Sequence, residues 1–306
     1  MESQALVGYI EKIRYGRIIS QEQMLEGVIS IRQYRRYLYG KVDIPFGVFS
    51  QLANKINIPP RKLFSEFEEQ RLKEKRLISS FYNAVVAHNE RIIEKLYSQI
   101  DEDTIFDFEQ LLFFESAKKL YAYNSGKINK EDVASFHKEL IQYPKILANA
   151  FLTDNELYIL GTISEYDPAS RPTIMNKLQL LYESDQLRVS GDNVLIMTQI
   201  LFWLAKYTGS LKQYDKTISY CDKAIEYNNQ YQSKYLMKYF HYYKSLSYYR
   251  TNQIDEYKES LYKTILFSEL EPVKNQTGRF YNTIKKDLNI EPLCFVQEYI
   301  NQKLEK

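Results

Sequence analysis

The stretch SQEQMLEGVISIRQYRRYLYGKVDIPFGVFSQLANKINIPPRKLF, residues 20–64, decides how the rest of the chain is read. Ser20 can accept a hydrogen bond from a free N–H of the helix it opens, and Gln23, three residues on, can return one, which makes a capping box. Ser30 offers the same N-cap to IRQYRRYLYG, and Gly40 suits the left-handed residue that closes a helix. Pro45 stands where proline is allowed, just inside FGVFSQLANKIN, and Pro59-Pro60 lead into RKLFSEF. Upstream, ALVGYIEKIRY (residues 5–15) sets Leu6, Tyr9, Ile10 and Ile13 at helical spacing. The expectation is a small head of five short helices.

Within that head, a helix over 20–27, a tight turn at Val28-Ile29 and a helix over 30–39 predict a helix-turn-helix. Tyr34, Tyr37 and Leu38 fall on one side of the second helix and can pack inward. Arg32, Gln33, Arg36 and Tyr39 fall on the other. Arginine can fork onto guanine O6 and N7, and glutamine can both donate to and accept from adenine. Taken alone, an arginine-rich helix reads as a solvated surface; the five-helix setting turns the reading toward DNA.

Charge is distributed in the same sense. Residues 1–64 hold ten Lys or Arg against five acids, while residues 65–306 hold 31 against 34. A basic head on a mildly acidic body suits nucleic-acid contact through the head alone.

Downstream, the charged run EFEEQRLKEKR (66–76) reads as a helical linker. An apolar series from Leu77 to Tyr97 then repeats at helical spacing. Further helical patterns cover about 104–124, 130–142, 144–151, 154–163, 172–187 and 192–208, with breaks such as Asn124-Ser125-Gly126 and Asp167-Pro168. No segment alternates with period two, and Gly and Pro are scarce, at 10 and 8. The expected fold is all-α, with a helix-turn-helix domain over 1–66, a helical linker over 67–76 and an α-solenoid of tetratricopeptide-like helix pairs over 77–306. The repeat evidence is QYDKTISYCDKAIEY (213–227) against EYKESLYKTILFSEL (256–270). This alignment pairs Tyr214 with Tyr257, Thr217 with Ser260, Ile218 with Leu261 and Ala224 with Phe267, 43 residues apart.

Chemistry-bearing patterns are few. His88, His137 and His241 stand singly, without the second His or Cys that a metal site needs. The chain has no glycine-rich phosphate loop, no nucleophile elbow and no zinc-protease motif. Acid pairs such as Glu68-Glu69 lie in charge-rich segments that read as solvated. Neither catalysis nor a metal or other cofactor is expected. Cys221 and Cys294 read as free thiols of a reducing compartment. The N-terminal MESQALVGYIEKIRYG lacks the apolar core of a signal peptide, and no window reaches the roughly 18 apolar residues of a membrane span. A cytoplasmic location follows as an expectation.

The run from Ser20 to Phe64, with Ser-Gln opening one helix, a polar helix ending in Gly, an apolar helix after it and an Asn-Ile-Pro…Leu-Phe exit, resembles the repressor-type helix-turn-helix of the Rgg- and PlcR-type (RRNPP) peptide-pheromone regulators. The resemblance implies a transcription regulator whose helical-repeat domain senses a short signalling peptide. It implies Gln21 as a phosphate contact and Arg32, Gln33 and Arg36 as base or phosphate readers; Ser30, Ile31, Arg35 and Lys41 complete the expected DNA-facing set. Two positions depart from the pattern: Leu38 replaces the usual acid, and Ile31 occupies an outward, normally polar place, where it can meet a thymine methyl or simply pack.

A small helix-turn-helix reads few bases, so a homodimer on double-stranded operator DNA is expected, without any membrane partner. The terminal segment LCFVQEYINQKL (293–304), with Phe295, Val296, Tyr299, Ile300 and Leu304 on one side, is a candidate dimer surface. For a peptide, polar groups among aromatics are the expected lining, and the candidates are Asn193, Gln199, Lys206, Tyr235, Lys238 and Tyr242. The competing reading is a protein-interaction adaptor on helical repeats with a vestigial helix-turn-helix.

Overall fold

The computed structural model describes residues 2–102, 105, 107–184, 193–270 and 274–304, and all regular structure among them is helical. The chain packs as two compact units, Met1–Asn129 and Lys130–Lys306.

The first unit contains α1 (Glu2–Gly16), α2 (Gln21–Leu25), α3 (Ile31–Leu38), α4 (Phe46–Lys55), α5 (Pro60–Val86), α6 (Glu90–Tyr97) and α7 (Phe108–Asn124). Among its described residues, apolar side chains gather in the head and again between α5 and α7. In the head, Ile10 of α1, Met24 of α2, Tyr34 of α3, Phe49 and Leu52 of α4, Ile56 and Leu63 are buried together. Full burial of each such side chain is worth about 1.5–3 kcal/mol. Further along, Phe81 and Tyr82 of α5 meet Phe114 and Phe113 of α7 with ring centroids 5.4 and 4.5 Å apart. Helix α5 begins at Pro60, where the missing N–H costs nothing, and runs 27 residues through the charged segment 67–76 without a break.

The apolar series expected to continue to Tyr97 is interrupted after Val86. His88 takes a φ of +51° and Asn89 caps α6. The same turn recurs at Ile18, Asn57, Gln142, Lys212, Gln232 and Asn252, each at positive φ. In each case the N–H of the following residue reaches the carbonyl five residues back, as Ile19 does to Arg14 at 3.2 Å and Gln213 to Thr208 at 2.9 Å. Gly40 and Gly126 close α3 and α7 in the same way. Most of these ends carry no glycine, so the break at His88 has no glycine or proline to announce it.

The second unit contains α8 (Lys130–Leu140), a short 3-10 turn (Lys145–Ala148), α9 (Asp154–Tyr166), α10 (Arg171–Glu183), α11 (Asn193–Ser210), α12 (Tyr214–Gln230), α13 (Met237–Arg250), α14 (Ile254–Glu269), α15 (Lys274–Leu288) and α16 (Pro292–Leu304). The helix expected over 144–151 is reduced to that single turn, because Pro144 and the capping box of α9, built by Thr153 and Glu156, leave no room for more. The expected end of the 172–187 helix and the first residue of the 192–208 helix fall partly on 185–192, outside the described residues. The main core joins Leu160 and Ile163 of α9, Leu178 of α10, Ile200 and Leu204 of α11, Cys221 and Ala224 of α12 and Phe240 of α13.

Helices α11–α12 and α13–α14 form two successive hairpins, but their register is 40 residues rather than 43. Thr217, Tyr220, Cys221, Ala224 and Asn228 are buried in α12, and Tyr257, Ser260, Leu261, Thr264 and Ser268 in α14. The turns agree: Gln213 N–H bonds Thr208 O and Gln253 N–H bonds Tyr248 O, both at 2.9 Å. A slip of three residues is nearly one helical turn, so an apolar pattern matches almost as well at the wrong offset.

Candidate nucleic-acid interface and aromatic face of the body

Helix α3 is short and built to stay in place. Ser30 Oγ accepts from the Gln33 N–H at 3.2 Å, and Tyr34 and Tyr37 are buried beneath it. The opposite side is open. Arg32, Arg35, Arg36 and Tyr39 are exposed, Tyr39 at 64%, and Ile31 stands at the rim of that face. The helix carries three arginines and no acid, and among the described residues none of the three forms an ion pair. Arg36 Nη1 lies 3.4 Å from Gln33 Oε1, a weak contact that leaves the guanidinium free to reach outward. Lys41 is exposed just past the Gly40 cap.

Beneath this face lies a polar hub that sequence reading missed. The Glu11 carboxylate of α1 accepts from Arg14 Nε at 3.0 Å and Nη2 at 2.7 Å, from Gln21 Nε2 at 2.7 Å and from the Tyr34 hydroxyl at 2.7 Å. Burial works against the Glu11 charge, but the hydrogen bonds from Arg14, Gln21 and Tyr34, with the charge of Arg14, hold its pKa below the ordinary value. Burial, followed by the bond to Glu11, pushes the Tyr34 hydroxyl far above a free phenol. Gln21, expected at a phosphate, thus has one amide N–H turned inward to Glu11 and keeps the second for an outside acceptor. The partners of Glu11 lie 3, 10 and 23 residues away, and only the first of these is a helical spacing.

In the second unit, helices α11, α13 and α15 share a run of aromatic rings. Phe202 lies 5.5 Å from Tyr239 and 5.8 Å from Tyr243; Phe280 lies 5.3 Å from Tyr239 and 5.2 Å from Tyr242. Phe202, Tyr239 and Tyr243 are half-buried and so present part of their rings. Tyr239 and Tyr243 stand in a tyrosine-rich stretch that the sequence itself offers as groove lining, whereas Phe202 and Phe280 carry no such mark. The signal available was an aromatic on each of three successive first helices of a hairpin, legible only with the 40-residue register.

The six residues expected at a peptide are placed variously around this run. Gln199 and Tyr235 are joined: the Tyr235 hydroxyl donates to Gln199 Oε1 at 2.8 Å, while Asn228 Nδ2 donates to the Tyr235 carbonyl at 3.0 Å. Lys238 is buried, with Nζ 4.8 Å from the Tyr239 ring centroid and 5.2 Å from that of Phe280. Tyr242 is buried too and donates its hydroxyl to Asp287 Oδ2. Lys206 is exposed and donates to both Glu165 carboxylate oxygens at 2.7 and 2.6 Å. Asn193 is the first residue of α11. A cleft of about 60 Å³ opens beside Lys206, between Glu165, Arg171, Trp203 and Tyr207. It is far smaller than a drug-sized ligand pocket, at roughly 300 Å³ or more.

On α16, Leu293, Ile300 and Leu304 are exposed, while Phe295 stacks on Tyr299 at 6.0 Å and Tyr299 meets Tyr262 of α14 at 4.9 Å. Part of the expected apolar side is therefore spent within the chain. Cys221 is buried, which raises its thiol far above the ordinary value, and Cys294 is exposed. Among the described residues no three His, Cys, Asp or Glu gather as a metal site, and no helix is long and apolar enough to cross a membrane.

No protein-family profile matches this sequence, and no curated protein does. Solved structures do match in fold. The apo form of PlcR from Bacillus thuringiensis aligns over 92% of this chain and 99% of its own with a TM-score of 0.56 at 16% identity. ComR from S. thermophilus in complex with DNA and its signalling peptide ComS aligns over 92% and 99%, with a TM-score of 0.54 at 13% identity. PlcR in complex with the peptide PapR7 and DNA aligns over the same shares with a TM-score of 0.50 at 16% identity. The chain shares the all-α fold of these proteins, helix-turn-helix first and helical body after.

Proposed function

We propose that this protein is a cytoplasmic transcription regulator that acts as a homodimer, reads operator DNA with α3, and takes a short signalling peptide on its helical body. The observation that carries the DNA reading is the outer side of α3: Arg32, Arg35 and Arg36 face solvent with no acid among them, on a helix capped by Ser30 and backed by Tyr34 and Tyr37. Such a helix brings donors to base edges and positive charge to phosphates at once. Gln21, Ser30, Ile31, Gln33 and Lys41 border the same side and are assigned to it.

The peptide reading rests on the face of α11, α13 and α15. Rigid aromatic rings give contact area at low entropic cost, and Gln199 with Tyr235 offers amide and hydroxyl groups that can pair with a peptide backbone. PlcR with PapR7 and DNA, and ComR with ComS and DNA, have this fold, which supports both partners. A peptide that binds one dimer arrangement tenfold better than another shifts the balance by about 1.4 kcal/mol.

The test begins with the full chain and a randomised duplex library. The expected result is enrichment of a sequence with two-fold symmetry, lost in Arg32→Ala/Arg36→Ala. Calorimetry then titrates the parent with peptides encoded beside its gene, and the same titration is repeated on Gln199→Ala. A parent that enriches no duplex overturns the DNA reading; one that binds none of the peptides overturns the sensor reading.

A further inference from the structure

The exposed face of α3 is useful to DNA only if its rotation about the helix axis is fixed. Recognition constellations need to be held within about 0.5 Å and 10–20°. Helix α3 has eight residues, and its buried side is made by Tyr34 and Tyr37 with Leu38 half-buried. Apolar contacts of this kind are not directional and tolerate small rotations. Among the described residues, the one side-chain hydrogen bond that leaves α3 for another helix is Tyr34 to Glu11 at 2.7 Å. The same carboxylate holds Gln21, the first residue of α2, at 2.7 Å, so both helices of the helix-turn-helix are tied to one group on α1. Arg14 completes the set and also donates to the Ile19 carbonyl in the turn that leads into α2.

We propose that Glu11 is a positioning residue for base reading, because its carboxylate sets the rotation of α3 through Tyr34 and the approach of α2 through Gln21. The proposal rests on the DNA-binding reading above. Four donors from three residues converge on two carboxylate oxygens. A glutamine there has one oxygen to accept and turns an NH2 group toward donors, so part of the set loses its acceptor. Tyr34→Phe removes a single hydroxyl and keeps the ring that fills the core.

The experiment uses the full chain, the duplex enriched by the parent, and an unrelated duplex of equal length that reports phosphate contact alone. Glu11→Gln and Tyr34→Phe are each measured well below their own thermal transitions. Both are expected to lose about tenfold in affinity for the enriched duplex while the unrelated duplex changes by less than about twofold. Fresh selection with Tyr34→Phe is expected to yield a blurred base preference. A purely structural role predicts a lower Tm with the ratio of the two affinities unchanged, and that result overturns the proposal. So does a ratio within about twofold of the parent's for Tyr34→Phe, whatever Glu11→Gln does. A parent that prefers no duplex overturns the DNA reading itself, which distinguishes the two failures.

Discussion

Gly161 of α9 lies so close beneath the Trp203 ring of α11 that a Cβ at Gly161 would stand 2.0 Å from the ring atom Cζ2. Trp203 is the chain's one tryptophan and is buried, with Tyr158 meeting it edge-on at a centroid distance of 6.1 Å. Two effects compete in Gly161→Ala. Alanine is the better helix former by about 1 kcal/mol. Against that, a planar ring wedged between two helices has nowhere to go, and overpacking of this kind costs about 1–3 kcal/mol. At a 2.0 Å approach the clash falls at the upper end of that range and wins, and a net loss of up to about 2 kcal/mol is expected in chemical denaturation, with the Trp203 emission altered before unfolding. An unchanged midpoint and spectrum would show that the two helices separate freely.

The recurring left-handed turn makes a second, signed prediction. Ile18 is a β-branched residue at φ +59° and is 93% exposed, so it bears the backbone strain with no packing to offset it. The left-handed conformation costs an L-residue about 1–2 kcal/mol, and asparagine is among the side chains that visit it most readily. Ile18→Asn is expected to stabilise the head by about 1 kcal/mol. At the equivalent place after α7, Gly126 has φ +71° and open space around it, so Gly126→Ala is expected to cost about 1 kcal/mol by the backbone effect alone. Thermal unfolding of the pair checks both signs; a loss from Ile18→Asn would assign Ile18 a contact that these helices do not make.

Where the sequence was legible, a local rule was at work. Ser20 with Gln23, and Ser30, mark helix starts because an N-cap needs only neighbours in the chain, and both caps are made. The inward side of α3 could be read off Tyr34 and Tyr37 because a period of 3.6 assigns faces. What was illegible depends on residues far apart. Glu11 looks like any exposed acid until α2 and α3 fold onto it. The aromatic run from Phe202 to Phe280 needs three helices brought side by side, and the 43-residue alignment of the hairpins placed Thr217 against Ser260 when the fold pairs it with Tyr257. Lys238 and Tyr242, chosen as polar groups among aromatics, turn out to be buried, because a long stem or a ring can be covered while its polar tip finds a partner.

His241 of α13 gives a pH dependence. It is buried, stacks on Phe267 at 5.5 Å, and its Nδ1 has no hydrogen-bond partner among the described residues. Burial, then the charges of Lys263 and Lys244, push its pKa down to about 4, with Glu259 opposing weakly. Since the folded value lies below the unfolded one, near 6.5, the unfolded chain binds the proton first as pH falls. The stability due to neutral His241 is therefore complete above pH 6.5 and is lost progressively down to pH 4, by at most about 3 kcal/mol. His241→Phe is expected to flatten this part of the stability profile in denaturant titrations between pH 4 and 7. A profile of unchanged slope would place the acid sensitivity on other groups.

Salt dependence separates the arginines of α3 by role. At 3.6 residues per turn Arg32 and Arg36 fall with Gln33 along one side of α3, whereas Arg35 falls between Ile31 and Tyr39. If the first two read bases, each alanine substitution costs about 1–3 kcal/mol on the enriched duplex and much less on an unrelated one. On the same assignment Arg35 and Lys41 are expected to meet phosphates rather than bases. Arg35→Ala and Lys41→Ala should weaken both duplexes alike and reduce the slope of log affinity against log salt by about 1 each. The measurement is a salt titration from about 50 to 200 mM, a span over which six to ten phosphate contacts change affinity by roughly a thousandfold or more. Equal loss of specificity from Arg35→Ala and Arg32→Ala would mean that α3 enters the groove rotated from this assignment. A parent affinity that does not fall with salt would remove DNA as the partner of this face.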